Sequence, residues 1–165
     1  MRAPVHIGID PGLQGAVAIL DDAGTLVALH DVPTLTLPTS RGTRHEYDLP
    51  GMAALLKPYV PHGHVVIEEA QAMPGQGVRS MFTIGLGFGA WLGILGALGL
   101  AHTRSRPATW KRHLGLSGDK EPARLRAIQL FPTADLRRKK DHGRAEALLL
   151  AYWGWRVAMS GGPSR

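Results

Sequence analysis

The chain reads as an α/β protein built on a mixed five-stranded sheet flanked by helices. Two observations carry that reading. The amino-terminal third holds three short runs rich in Val, Ile, Leu and Ala (5–10, 15–20 and 25–32), cut apart by Pro11-Gly12 and by Asp21-Asp22-Ala23-Gly24. Two further strand-like runs, 64–68 and 101–104, each follow a helical stretch. With 165 residues, 44% of them hydrophobic, one domain with a single core is expected over 1–165.

The short turns make the first three strands an antiparallel meander. Residues 33–47 then shift to Thr, Pro and Arg, with Arg41, Arg44 and His45 and no apolar periodicity. That composition predicts a mobile basic loop, either solvated or touching a nucleic-acid backbone. Asp48 ahead of Pro50 opens a helix whose apolar face is Met52, Leu55, Leu56 and Tyr59, before Pro61 and Gly63 end it. The fourth strand follows at 64–68, then a Gly- and Pro-containing loop at 73–77.

From 80 to 103 there is no Asp, Glu, Lys or Arg, and Gly85, Gly89 and Gly93 recur every four residues. By length and spacing this resembles a membrane helix with a packing face. Basic residues on both sides (Arg79, Arg104, Arg106) give no topological bias, and the segment lies between two strands. A buried helix is therefore expected, its glycines packing closely on the sheet or on a second subunit. The fifth strand lies at 101–104. A short helix carries Trp110 and Lys111, another spans 122–130, and the last runs from 141 to about 159.

Nineteen Lys and Arg against thirteen Asp and Glu leave a net charge of +6. Several of the acids are engaged in a site, so the outer surface is more basic still and suits a polyanion. The absence of cysteine excludes disulfides and thiolate metal ligands, and nothing at the start resembles a secretory signal. A soluble, cytoplasmic protein is the expectation.

The residues that carry chemistry sit in similar settings. Asp10 ends the run Val5, Ile7, Ile9, and Glu68 ends Val65, Val66, Ile67. A carboxylate at the end of a buried strand is costly unless a cation or hydrogen bonds meet it. His142 and Glu146, four apart on a helix, share a face, whereas Asp141 lies about 140° around the axis from Glu146 and reads as an N-cap. Together these positions point to a divalent-metal site. Glu69 competes with Glu68, since on a strand only one of two neighbours faces the site, and alternation from Asp10 does not decide between them.

The element order matches the ribonuclease H-like fold, in which the ends of the first and fourth strands meet. The ordered set Ile7-Gly8-Ile9-Asp10-Pro11-Gly12, Val66-Ile67-Glu68-Glu69 and Lys139-Lys140-Asp141-His142-Gly143-Arg144-Ala145-Glu146-Ala147-Leu148 resembles the RuvC-type Holliday junction resolvases, closest to the chloroplast and phage branch. Gly87-Phe88-Gly89 with Trp91, and Trp110-Lys111, extend the resemblance over nearly the whole chain. It implies a homodimeric endonuclease that makes paired symmetric nicks in four-way DNA junctions with two Mg2+ or Mn2+ ions. By matching positions Asp10 would bridge the ions, Glu68 and Glu146 would each hold one, and His142 would be a ligand or a proton carrier. The resemblance also favours Glu68 over Glu69.

Two departures from the bacterial pattern stand out. The final acidic pair, three residues apart there, is replaced by His142 and Glu146, four apart. The position of the aromatic wedge, three residues after the catalytic Glu, holds Gln71 here, which leaves Met73 or Phe82 as candidates or a different means of strand separation. Arg137, Arg138, Lys139 and Lys140, immediately before the last helix, would position a phosphate backbone, with Arg41, Arg44, Arg79, Lys111 and Arg112 extending that surface. Trp110, Trp153 and Trp155 read as core or interface residues. The alternatives are a noncatalytic branched-DNA-binding protein, a ribonuclease H-like nuclease acting on RNA-DNA hybrids, and a phosphotransferase suggested by the first loop alone.

Overall fold

The computed structural model describes residues 3–71 and 74–160. Strands β1 (Val5–Asp10), β2 (Ala16–Leu20) and β3 (Leu26–Asp31) form the expected antiparallel meander. After β4 (Thr34–Thr39), β5 (Gly42–Tyr47) and helix α1 (Leu49–Leu56), strand β6 (Gly63–Glu68) pairs parallel to β1. Helix α2 (Val78–Leu98) leads to β7 (Ala101–Ser105), and α3 (Pro107–His113), α4 (Lys120–Leu130) and α5 (His142–Met159) complete the chain. The main sheet runs β3-β2-β1-β6-β7, the mixed five-stranded sheet expected.

Residues 33–47 are not a loop. They form a two-stranded hairpin in which Thr34 pairs with Tyr47 and Thr39 with Gly42. Thr-rich strands favour extended backbone, but both faces of this hairpin lie largely in solvent, so no apolar alternation marks it. Asp48 caps α1 as expected, accepting from the Gly51 N–H at 3.0 Å.

Alternation along the strands separates two cores. Ile7, Ile9, Val65 and Ile67 pack with Met52, Leu56, Trp91 and Leu95 of α1 and α2. On the opposite face Val66 joins Ala147, Leu148 and Ala151 of α5. Gly8 lies directly beneath α5, where an added Cβ would run into the backbone at Ala147 and Ala151, so the helix crosses β1 at very close range.

The buried-helix expectation for the apolar segment holds along one stripe. In α2 only Gly87, Trp91 and Leu95 are buried, while Val78, Phe82 and Leu86 are 81%, 72% and 54% exposed. Gly87 meets the Tyr47 hydroxyl, but an added Cβ at Gly85, Gly89, Gly93 or Gly96 would meet nothing. By length and composition α2 could cross a membrane.

Candidate active site

Ile9 of β1 pairs with Ile67 of β6, so Asp10 and Glu68 are the next residues of the same parallel register. Each continues the α5-facing row of its strand, two residues beyond Gly8 and Val66. This parity decides between the two glutamates. The Glu69 N–H continues the ladder to the Ser105 carbonyl at 2.9 Å, and its carboxylate accepts from Arg106 Nε at 3.4 Å, at the exposed rim.

Helix α5 brings the third carboxylate. Its first turn rests on the β1–β2 connection, where a Cβ at Gly143 would meet the Gln14 carbonyl, the Gly15 Cα at 2.9 Å and Asp10 Oδ2 at 3.1 Å. Glycine is what lets the helix start so close to Asp10, with Glu146 nearly one turn further on.

Helix α3 closes the site from the side. Trp110, fully buried, donates from Nε1 to Glu68 Oε2 at 2.9 Å. Lys111 Nζ donates to Glu146 Oε1 at 2.7 Å, with side chains only 10% and 12% exposed. Lys111 therefore does not belong to the exposed basic surface expected of it, because α3 turns it inward onto α5. Trp110 is a core residue as expected, yet its indole N–H also orients a site carboxylate. Tyr47 seals the other side, its hydroxyl donating to the Pro11 carbonyl at 3.2 Å.

The electrostatics bind these groups into one unit. Burial, then the charge of Glu146, raises Asp10 to about 7 against the pull of the Gly12 N–H, Lys120 and Lys111. Burial, then Glu146 and Asp10, raises Glu68 to about 7, opposed by the Trp110 hydrogen bond and by Lys111. Burial and the Asp10 charge push Tyr47 up to about 12. Carboxylates that raise one another in this way are a frequent mark of a functional site.

His142 is the first residue of α5, on the same side as Glu146, and its Nδ1 is buried without a hydrogen-bond partner. Its imidazole lies within electrostatic reach of Glu121 at the start of α4. Asp141 occupies the N-cap position but caps no helix N–H; it accepts instead from the Arg138 backbone N–H at 2.8 Å and from Arg138 Nε at 2.9 Å. Among the described residues, no three His, Asp or Glu side chains are gathered as a ready ligand set for one ion. The donor chemistry nevertheless fits a hard divalent cation, with carboxylates raised by burial and by one another's charge, and with an imidazole nitrogen lacking a hydrogen-bond partner one helical turn before Glu146.

The remaining basic residues lie on several elements. Arg41 stands at the hairpin tip, and Arg44 pairs with Glu46 at 2.7 Å, both exposed. Arg79, Lys139 and Lys140 are exposed as well. His45 of the hairpin, Gln14, Arg138 and Lys140 line a cavity of about 440 Å³ between β5 and the start of α5. Of the wedge candidates, Phe82 is 72% exposed, Gln71 is exposed, and Met73 lies outside the described residues.

Fold and site thus combine a mixed five-stranded sheet flanked by helices with an acidic centre at the ends of β1 and β6. Over 101 residues the chain is 38% identical to the chloroplastic Holliday junction resolvase MOC1 of Chlamydomonas reinhardtii, a stretch covering 59% of this chain and 11% of that protein. The chain spans only about a tenth of that relative's length. Among solved structures it is similar to Thermus thermophilus RuvC in complex with a Holliday junction substrate, with TM-score 0.62, 18% identity, and coverage of 96% of this chain and 98% of that one. A second Thermus thermophilus RuvC structure gives TM-score 0.59 at 17% identity over 95% and 96% of the two chains. No family model matches.

Proposed function

We propose that this protein is a structure-selective DNA endonuclease that resolves four-way junctions by paired symmetric nicks. The observation that carries the proposal is the convergence of Asp10, Glu68 and Glu146 into one electrostatic unit at the ends of β1 and β6. The curated relative, itself a Holliday junction resolvase, supports the substrate class.

Asp10, Glu68, Glu146 and His142 are the residues that would hold two Mg2+ or Mn2+ ions, which would supply stabilisation of the attacking water and the departing 3′ oxygen. The chain's own groups set the stage for that chemistry. Trp110 fixes the orientation of Glu68, the Gly12 N–H holds Asp10, and Lys111 balances part of the acidic charge. Hydrolysis breaks the P–O3′ bond, water delivering hydroxide to phosphorus and a proton to the 3′ oxygen. His142 serves this site as a ligand or as the proton carrier. Arg41, Arg44, Arg79, Arg138, Lys139 and Lys140 would hold the phosphate backbone, with Lys111 acting from within the site. A second copy of the chain would cover the open glycine face of α2, giving the homodimer that paired nicks require.

The Lys111–Glu146 ion pair favours one rival reading, a noncatalytic junction binder, because it already occupies a carboxylate. Incubating the protein and Mg2+ or Mn2+ with a labelled mobile junction, a linear duplex and an RNA-DNA hybrid separates the readings. Paired nicks confined to opposing junction strands are expected. Preferred cutting of the hybrid, or tight junction binding without cleavage under either metal, would overturn the proposal.

A further inference from the structure

Helix α3 runs beside α5 and touches it at successive points. Lys111 meets Glu146 at the acidic centre, and two residues later His113 Nδ1 accepts from Trp153 Nε1 at 2.9 Å. Trp153 lies seven residues after Glu146, hence on the same side of α5 and about 10 Å further along it. There the two helices and α4 border an open groove of about 520 Å³, lined by Arg126, Arg156, Tyr152, Trp153, His113 and Ser160 among others, with no acidic side chain among the described residues lining it.

The chemistry of this cavity is specific. Arg126 and Arg156 are exposed, and Arg156 lies 6.0 Å from the centre of the Tyr152 ring. His113 Nδ1 accepts from the Trp153 indole N–H, and the imidazole stacks at 24° on the indole. Guanidinium groups beside aromatic faces are the combination that holds an unpaired nucleotide, phosphate to arginine and base to ring. The volume falls within the roughly 300–1,000 Å³ usual for small-ligand sites. The distance from Glu146 is about that of three stacked nucleotides at 3.4 Å each.

We infer that this groove is a second nucleic-acid subsite, holding an unpaired nucleotide of a DNA strand that leaves the acidic centre along α3 and α5. The choice of DNA as partner rests on the function proposed above; the groove's chemistry, an anion joined to an aromatic ring, stands without it. It gives the protein a means of gripping a strand that junction opening has freed from its partner.

The test is the binding of a fluorescein-labelled ten-nucleotide oligothymidine to the full chain in a chelator, against an abasic backbone of equal length. Wild type should prefer the oligothymidine at least fivefold. Arg126→Gln with Arg156→Gln, both exposed positions, should lose about tenfold in affinity, with a salt slope shallower by about 1.4. Trp153→Leu should abolish the preference over the abasic strand. Unchanged affinity and slope in the double arginine variant, or equal wild-type binding of the two strands, would overturn the subsite. So would displacement by polyglutamate as effective as by unlabelled oligothymidine, which would point to an acidic peptide, or displacement by thymidine monophosphate with little strand binding, which would point to a free nucleotide. Junction cleavage is read separately. No cleavage with this binding pattern intact removes the endonuclease reading and leaves the groove standing; cleavage without the pattern removes the groove alone.

Discussion

Helices α2 and α5 are both long, apolar and glycine-bearing, yet they do opposite things. In α5, eight residues are buried, and Gly143 and Gly154 meet the β1–β2 connection and Val66 at close range. In α2, which is the longer and more uniformly apolar, three residues are buried and four glycines face open space. Overall apolarity therefore does not report burial. What places α5 in the core is the complementary glycine beneath it, Gly8, whereas no such complement lies against Gly85, Gly89, Gly93 or Gly96 of α2.

The largest effect expected from this contrast is on folding. Gly8→Val forces a branched side chain into the α5 backbone and should cost about 3 kcal/mol or more, since close packing there leaves no room for repacking. Thermal denaturation should show a drop of roughly 10 °C. A melting temperature within a degree or two of wild type would mean that α5 does not cross β1 so closely.

Next comes the response of the acidic centre to pH. Asp10 and Glu68 are raised to about 7 in the folded chain, so their protonated forms are favoured there. The stability they contribute is complete below about pH 4 and is lost as pH rises through about 7. Asp31, Glu121 and Asp141 are shifted downward, so their stabilising contributions are already complete above about pH 5. His6 and His64 are shifted downward by burial and add stability as pH rises over the same range, so the acidic unit is read by comparison: between pH 5.5 and pH 8 the melting temperature of the metal-free wild type should fall relative to that of Asp10→Asn. Mn2+ should raise the melting point more at pH 8 than at pH 5.5. Identical pH responses of the metal-free wild type and Asp10→Asn would contradict the buried acidic unit.

A smaller effect sharpens the α2 side. Gly89→Ala should stabilise the monomer by about 0.5–1 kcal/mol, because alanine loses less backbone entropy in a helix and its Cβ meets nothing. Gly89→Leu should weaken self-association in sedimentation at micromolar concentration. Equal association behaviour of wild type and Gly89→Leu would contradict the proposed dimer contact on α2.

Much of this was legible in the sequence, for physical reasons that can be named. Asp10 and Glu68 end continuous apolar runs, and the meander's turns carry strong Gly, Pro and Asp signals, so both the sheet and the pairing of its first and fourth strands could be read. The β4–β5 hairpin could not, since neither of its faces is buried enough to impose alternation. Lys111 was misplaced because a lysine in a basic stretch looks solvated; its inward turn depends on how α3 sits against α5, a tertiary fact. The choice of Glu68 over Glu69 came from resemblance, and strand parity supplied its physical reason only once Gly8 and Val66 were seen to face α5.

The central claim is that Asp10 sits in a cleaving site rather than a merely charged one. Measuring junction binding and cleavage together for wild type and Asp10→Asn, with Mg2+ or Mn2+, tests it directly. The substitution removes one anion at nearly constant volume, so binding should be retained while cleavage falls at least about a thousandfold. Cleavage within a few fold of wild type would contradict the claim.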